Sequence, residues 1–170
     1  MNFGDDRLLE LLEARGAELH ALLTRLTLRA GVAEDLLQEL FLKLRNSTGF
    51  ARAANQQAYA FRAAISVAFD WRRRHRATES LMTEPAIGMP APLDRLIEDE
   101  NLELVLDAME RLSDLGRQVL VLRYLQQQDF EMIARQLGKT EHQARGLCSK
   151  ALKQLRTKVL PAARKGQEGQ

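Results

Sequence analysis

The segment FEMIARQLGKTEHQARGLCSKALKQL, residues 130–155, decides the fold of the C-terminal half of this chain. Its first eight residues carry apolar side chains at helical spacing, namely Phe130, Ile133, Ala134 and Leu137. Gly138 then predicts the end of this helix, because glycine readily adopts the left-handed conformation that closes many helices. Thr140 and Gln143 have the spacing of a capping box, which opens a second helix. A short helix, a glycine turn and a capped helix together predict a helix-turn-helix.

The second helix of this segment has an apolar stripe and a polar, basic opposite face. The stripe consists of Ala144, Leu147, Cys148, Ala151 and Leu155. A helix with Lys and Arg on its outer face fits the major groove of duplex DNA, where phosphates and base edges are both within reach. The candidates for that contact are Thr140, His142, Gln143, Arg145, Gly146, Ser149, Lys150 and Lys153. Helical hairpins of adaptor domains give a similar pattern, so this segment alone leaves both interpretations open.

The whole chain is predicted to be all-α, with two small helical domains. Its long segments have a period of about 3.6 residues, and no strand pattern is found. Three of the four prolines fall in residues 78–92, which have no helical period. We predict that a flexible linker at 78–92 joins one domain at 1–77 to a second at 93–160, followed by a loose tail at 161–170. Ser113 is the predicted N-cap of a helix that runs to about Gln126.

In the N-terminal domain, the segment AEDLLQELFLKL, residues 33–44, predicts an amphipathic helix. Its apolar stripe consists of Ala33, Leu36, Leu37, Leu40, Phe41 and Leu44. The remaining surface carries Asp35, Gln38, Glu39 and Leu42, so an acidic and amide face includes one exposed leucine. This surface fits either an ordinary solvated face or a protein-binding face.

The next long helix, at about residues 56–76, ends in an arginine cluster. One side of this helix is apolar, with Phe61, Ala64, Ile65, Ala68 and Trp71, and the opposite side carries Tyr59, Arg62, Ser66 and Arg73. That opposite stripe suits single-stranded DNA, because arginine neutralises phosphate while an aromatic ring stacks on an unpaired base. The loop before the helix, residues 46–56, contains Gly49 and Phe50 and fits the capture of a flipped base. Roughly one or two of the arginines are also explained as cations opposing the helix dipole.

Charge is segregated along the chain, although the net charge is only +2. Residues 51–76 carry a net charge of +5, residues 77–110 carry −8, and residues 132–165 carry +8. Two basic blocks fit two contacts with a polyanion such as DNA. Solvated helix faces are the alternative reading of the same pattern.

Three segments, in this order and with this linker, resemble the bacterial RNA polymerase sigma factors of the extracytoplasmic-function group, which keep only regions 2 and 4. The segments are AEDLLQELFLKL (33–44), AYAFRAAISVAFDWRRR (58–74) and LSDLGRQVLVLRYLQQQDFEMIARQLGKT (112–140). The resemblance implies a region 2 domain at 1–77, which binds core polymerase and the minus-10 promoter element. It also implies a region 4 helix-turn-helix domain at 93–160, which binds the minus-35 element and the polymerase flap.

The resemblance also implies roles for individual residues. The polymerase clamp helices would dock on Asp35, Gln38, Glu39 and Leu42. Contacts with the minus-10 element would come from Phe50, Asn55, Tyr59, Arg62, Ser66, Arg72, Arg73, Arg74 and Arg76. The eight candidates at 140–153 would read the minus-35 element. Sigma factors of this group are commonly held inactive by an anti-sigma factor, so such a partner is expected as well.

Three positions depart from the family pattern. Ile65 and Ser66 stand where the family commonly has Arg-Asn, and Leu147 replaces a usual basic residue. A sigma-like decoy that binds an anti-sigma regulator without DNA therefore stays an alternative, as does a stand-alone helix-turn-helix regulator.

Nothing in the sequence favours an enzyme. The three histidines, His20, His75 and His142, are too scattered for a metal site, and neither a phosphate-binding glycine loop nor a Ser/His/Asp group is found. The single cysteine, Cys148, fits a small core residue. We therefore expect no catalytic residue, metal or cofactor. The absence of a long apolar run and the acidic N-terminus predict a cytoplasmic protein without membrane insertion.

Overall fold

The computed structural model describes residues 3–79 and 102–165 and, within them, the side chains of residues 4–76 and 102–157. These residues form helices and turns without a strand, as the sequence predicts. The chain divides into two compact units, Met1–His75 and Arg76–Gln170. Of the predicted linker, residues 78 and 79 belong to a helix, and 80–92 lie outside the described residues. None of the described helices is long and apolar enough to cross a membrane.

The helices of the first unit are α1 (Phe3–Thr27), α2 (Ala30–Arg45), α3 (Thr48–Arg52) and α4 (Gln56–Glu79), and the residues of α4 from Arg76 onward are assigned to the second unit. Helix α1 packs against α2. The largest fully buried side chains of this unit are Leu8, Leu19, Leu22, Leu23, Leu26, Leu40, Leu44, Ile65 and Phe69. Helix α4 extends three residues beyond its predicted end at 76.

Helix α2 has the predicted division between a buried and an exposed face, with one difference. The residues buried on it are Ala33, Leu36, Leu40 and Leu44. Leu37 and Phe41, which belong to the predicted stripe, are only half-buried. The apolar stripe is therefore wider than the surface that neighbouring helices cover.

The second unit contains α5 (Leu102–Met109), α6 (Asp114–Leu120), a π-helical turn (Val121–Leu125), α7 (Phe130–Leu137) and α8 (Glu141–Lys165). Helix α8 packs against α5, α6 and α7. The Ser113 hydroxyl accepts a hydrogen bond from the Gly116 amide at 3.1 Å, which confirms the predicted N-cap of α6. The π-helical turn continues α6 and ends at Leu125, with Gln126, the predicted end, as its C-cap residue.

The turn between α7 and α8 is built by the residues that the sequence indicates. Gly138 has a φ of +63°, so it adopts the left-handed conformation that ends α7. The Thr140 amide donates a hydrogen bond to Gln143 Oε1 at 3.0 Å, and the Gln143 amide donates one to Thr140 Oγ1 at 3.1 Å. These two reciprocal bonds confirm the predicted capping box at the start of α8.

A buried arginine, which the sequence pattern had not flagged, fixes the connection between α5 and α6. Arg117 is only 5% exposed. Its Nη1 atom donates hydrogen bonds to the carbonyl oxygens of Glu110 and Leu112, both at 2.9 Å, and its Nη2 pairs with the Asp114 carboxylate. One guanidinium group thus satisfies backbone acceptors of the segment just before α6.

Helix α8 continues further than the sequence predicts. It passes Pro161 and ends at Lys165, so the predicted loose tail at 161–170 is helical over its first five residues. The residues after Pro161 are Ala, Ala, Arg and Lys, which are strong helix formers. Residues 166–170 lie outside the described part of the chain.

Candidate protein and nucleic-acid interfaces

The exposed side of α2 combines acidic groups with apolar surface. Asp35, Gln38 and Glu39 are exposed, and Leu42 leaves 55% of its surface open to solvent. A groove of about 460 Å³ runs beside these residues, and its lining consists of Leu12, Gly16, Leu37, Gln38, Phe41 and Leu42. We call this surface the α1/α2 groove. Exposed apolar surface with a polar rim is typical of sites that bind another protein.

The lining of the α1/α2 groove includes one residue of α1 that has no side chain, Gly16. A Cβ atom placed on Gly16 would meet nothing within 4 Å, so this position leaves open space. Leu37 and Phe41, which also line the groove, are only half-buried. Gln38 and Leu42 belong both to the groove and to the predicted polymerase-binding face, so the apolar and acidic parts form one continuous surface.

Arg72 is placed as a structural residue, which corrects its assignment to the minus-10 contacts. It is 5% exposed, and its Nη1 atom donates a hydrogen bond to the Leu26 carbonyl oxygen at 3.2 Å. A guanidinium group held inside the first unit cannot reach a DNA phosphate. The cause is position on the helix, because Arg72 follows the fully buried Ala68 and Phe69 at spacings of four and three residues.

Arg73 and Arg74 are the exposed members of the arginine cluster. Arg73 pairs with Asp70 on the same helix, and the Arg74 guanidinium lies 3.8 Å from the carboxylate of Glu39. Exposed ion pairs of this kind are weak, worth about 0.2–1 kcal/mol, so both guanidinium groups remain available to a phosphate.

Arg76 lies in the second unit. Its guanidinium is 2.7 Å from the carboxylates of both Asp107 and Glu110. Two carboxylates neutralise this arginine in the structure, so a DNA contact by Arg76 would require that these ion pairs open.

The predicted base-capture loop is closed. Phe50 is 3% exposed and its ring lies edge-on to that of Tyr59, with 5.9 Å between the ring centroids. The Tyr59 hydroxyl is 3.0 Å from Ser47 Oγ, which also caps α3 by accepting a hydrogen bond from the Phe50 amide. A Cβ atom on Gly49 would lie 2.8 Å from the Tyr59 hydroxyl, so a larger residue there would displace this hydroxyl. As placed, Phe50 packs in the core and cannot stack on a DNA base, which corrects its prediction.

The other predicted minus-10 residues lie on or beside the N-terminal half of α4. Asn55 is exposed and its Oδ1 accepts a hydrogen bond from the Ala58 amide at 3.0 Å, so it caps this helix. The half-buried Arg62 places its guanidinium 5.8 Å from the centre of the Tyr59 ring. Ser66 is also half-buried. Tyr59, Arg62 and Ser66 thus lie along the outer side of α4, as their spacing predicts.

Two residues that depart from the family pattern, Ile65 and Leu147, differ in their burial. Ile65 is 1% exposed and packs in the core of the first unit. Leu147 is half-buried at the edge of the apolar stripe of α8. At both positions the chain has packing where the family pattern has a charged group.

The outer face of α8 is fully accessible to a duplex. All eight candidates are exposed, namely Thr140, His142, Gln143, Arg145, Gly146, Ser149, Lys150 and Lys153. Thr140 and Gln143 already use their side chains in the capping box, which leaves them less free to read bases. Arg145 pairs with Glu141 at 2.7 Å, and its guanidinium also lies over the ring of Phe130.

Cys148 is a small core residue, as predicted. It is 3% exposed. Burial raises the pKa of its thiol above the usual value, while the charge of Arg123 and a hydrogen bond with Tyr124 partly oppose that shift. Among the residues that the structure describes, no group of three His, Cys, Asp or Glu side chains could hold a metal ion.

Comparison with known proteins identifies the second unit. The family described as Sigma-70, region 4 matches residues 108–157, which contain α6, α7 and the N-terminal part of α8. RNA polymerase sigma factor FliA of Salmonella typhimurium is 33% identical over 90 residues, covering 53% of this chain and 37% of that protein. The probable RNA polymerase sigma factor RfaY of Xanthomonas campestris pv. campestris is 26% identical over 148 residues, covering 82% of this chain and 37% of that protein.

The chain spans less than two fifths of the length of these curated relatives. Among solved structures, the sigma factor RpoE of Bartonella quintana, in complex with the anti-sigma factor NepR, aligns with a TM-score of 0.45 and 20% identity. That alignment covers 91% of this chain and 94% of RpoE, and at this TM-score it assigns no function. On these matches, residues 108–157 belong to the Sigma-70, region 4 family, and the chain as a whole is similar to bacterial RNA polymerase sigma factors.

Proposed function

We propose that this chain is a promoter-specificity subunit of RNA polymerase of the extracytoplasmic-function type. It binds core polymerase and directs initiation at promoters through their minus-10 and minus-35 elements. It supplies no catalytic chemistry of its own, and it acts in the cytoplasm, where it would be held inactive by an anti-sigma factor.

The observation that carries this proposal is the exposed basic face of α8 within the region 4 match. Arg145, Lys150 and Lys153 are exposed on a helix that a glycine turn and a capping box hold after α7. This arrangement lets one helix enter the major groove while the preceding helix crosses the backbone. Lysine and arginine there would release counterions from the duplex.

The first unit has surfaces that suit the two remaining contacts, those with core polymerase and with the minus-10 element. The acidic face of α2 and the α1/α2 groove offer a protein partner an apolar centre with charge at its rim. The exposed Arg73 and Arg74 lie near the C-terminal end of α4 and suit the phosphates of the minus-10 region. Tyr59 supplies an aromatic ring on the same helix, but its hydroxyl must leave Ser47 before the ring can stack fully on a base.

The first test is binding to core RNA polymerase. The double variant Asp35→Ala, Gln38→Ala removes one charge and one amide from the exposed face, and Gly16→Met fills the α1/α2 groove. We expect each to weaken binding by at least about tenfold, as truncation of a central interface residue does. Fluorescence anisotropy of the N-terminally labelled chain, titrated with core polymerase, measures the change.

A matched control is Asp6→Ala, Gln57→Ala, which removes the same two chemical groups from exposed positions elsewhere on the first unit. It should bind core polymerase as the wild type does. A wild-type chain that does not bind core polymerase would overturn the proposal and favour the decoy or the stand-alone regulator. If all variants bind core polymerase as the wild type does, the polymerase contact lies on another surface of the chain.

A further inference from the structure

Two arginines of the second unit pack on one aromatic ring beside the helix-turn-helix. The Cζ atoms of Arg123 and Arg145 each lie 4.7 Å from the centre of the Phe130 ring. Arg123 comes from the π-helical turn, Phe130 begins α7, and Arg145 lies in the second turn of α8. The ring therefore links the three elements that form the candidate DNA-binding surface.

Several hydrogen bonds fix the position of this ring. The Asp129 carboxylate caps α7 by accepting a hydrogen bond from the Met132 amide at 2.8 Å. Arg123 Nη1 donates to the Gln128 carbonyl oxygen at 3.1 Å, and Gln136 Nε2 donates to Gln128 Oε1 at 2.8 Å. Phe130 thus directly follows a turn in which both backbone and side-chain groups are held by hydrogen bonds.

Arg145 is restricted by two contacts of its own. Its Nη2 atom lies 2.7 Å from the carboxylate of Glu141, one turn earlier on α8, and its guanidinium carbon packs over Phe130. A ring contact uses the flat face of a guanidinium group and leaves its in-plane N–H groups able to donate. An arginine held in this way loses less side-chain freedom when it binds a base or a phosphate.

We propose that Phe130 is a positioning residue for duplex recognition, because its ring holds the Arg145 guanidinium at the outer face of α8. This inference rests on the proposed function, and it gives a role to a residue outside the recognition helix. Phe130 is itself half-buried, while Ile133, Ala134 and Leu137 bury the inner side of α7. The ring is thus more exposed than the residues that hold α7 in place.

The test uses the full chain bound to core RNA polymerase and a duplex library with a randomised minus-35 region. Bound duplexes are sequenced, and affinity is measured on the most enriched one. Phe130→Leu keeps an apolar side chain without the π face, Phe130→Tyr keeps the ring, and Met132→Leu is a control at an exposed position on the same helix. Arg145→Ala and the double variant Phe130→Leu, Arg145→Ala complete the set.

We expect Phe130→Leu to weaken binding by about two- to fivefold, the range of an exposed cation–π contact. It should also weaken base preference at the same promoter positions as Arg145→Ala does. In a chain that already carries Arg145→Ala, Phe130→Leu should cause no further loss of affinity or base preference. Phe130→Tyr and Met132→Leu should behave as the wild type. In the free chain, the NMR signal of the Arg145 Nε–H should shift in Phe130→Leu, because the ring current is lost.

Unchanged affinity and base preference in Phe130→Leu would overturn the inference. An equal loss in the Arg145→Ala background would do the same, because Phe130 would then act through packing alone. If the wild-type complex enriches no sequence, the proposed function itself fails and this inference fails with it. Sequence selection by the wild type therefore separates a failure of this inference alone from a failure of the proposed function.

Discussion

The two glycines of the helix-turn-helix should respond to the same substitution in opposite directions. Gly146 lies in an exposed part of α8, and a Cβ atom there would meet nothing within 4 Å. Gly146→Ala should therefore raise the free energy of unfolding of the second unit by about 0.8–1 kcal/mol, because alanine restricts the unfolded chain and favours helix. Gly138 also has open space, but its φ of +63° disfavours any side chain. Gly138→Ala should lower the same free energy by about 1–2 kcal/mol.

Amide hydrogen exchange measured by NMR separates these effects from changes in the first unit. The reporters are the amides of Ala144 and Ile133, whose hydrogen bonds to Thr140 and Asp129 span the first turns of α8 and α7. Gly146→Ala should slow exchange by about four- to fivefold, and Gly138→Ala should speed it by about five- to thirtyfold. The single tryptophan, Trp71, lies in the first unit, so its urea transition should not move in either variant.

A result that refutes this reasoning is a shift of both variants in the same direction. Slower exchange in Gly138→Ala would mean that the left-handed turn is not present in solution. Faster exchange in Gly146→Ala would mean that α8 is not a regular helix at this position.

Three further predictions concern buried groups. Arg117→Met should lower the free energy of unfolding of the second unit by about 2–4 kcal/mol, because the Glu110 and Leu112 carbonyl oxygens lose their donor. The same hydrogen-exchange assay measures this loss. As a control, Arg135→Met at an exposed position should change this free energy by less than about 0.5 kcal/mol. Phe50→Ala should destabilise the first unit by about 3–5 kcal/mol, seen in the Trp71 urea transition, whereas the exposed Thr48→Ala should not. An unchanged transition would show that Phe50 is not in the core.

The third concerns Cys148, whose raised pKa means that folding favours the thiol over the thiolate. This contribution is complete below the usual thiol pKa of about 9.0 and is lost as the pH rises through the raised value, so stability should fall above pH 9. Alkylation of Cys148 should be slow in the folded chain and fast in urea. Equal rates in both states would contradict its burial.

Features that depend on near neighbours in the sequence were predicted correctly. Ser113 caps α6, Gly138 ends α7, and Thr140 exchanges hydrogen bonds with Gln143, because each device needs only residues three or four positions apart. The exposed face of α2 follows in the same way from one helical period.

Features that depend on distant partners were predicted poorly. The burial of Phe50 requires Tyr59 from another helix, and the burial of Arg72 requires the Leu26 carbonyl oxygen at the end of α1. Arg72 also carried a readable signal, since it follows Phe69 at core spacing, but a run of arginines favours the interpretation as one charged patch. Arg117 had a similar signal, three residues before the buried Leu120.

The ring contacts of Phe130 could not be predicted from the pattern. They join residues up to 22 positions apart, Arg123 and Arg145, through a turn whose geometry no periodicity specifies. The α1/α2 groove could not be predicted either, because its lining residues come from two helices that meet only once α1 packs against α2.

The most direct test of the central claim is run-off transcription on genomic fragments of the source organism, with its purified core polymerase. Three forms are compared. They are the wild type, the double variant with Asp35→Ala and Gln38→Ala, and the double variant with Arg73→Ala and Arg74→Ala. A sigma factor with these surfaces should direct specific starts as wild type and lose them in both double variants, the first through core binding and the second through promoter opening. A wild-type chain that neither binds core polymerase nor starts transcripts, yet captures a regulatory protein, would contradict the claim.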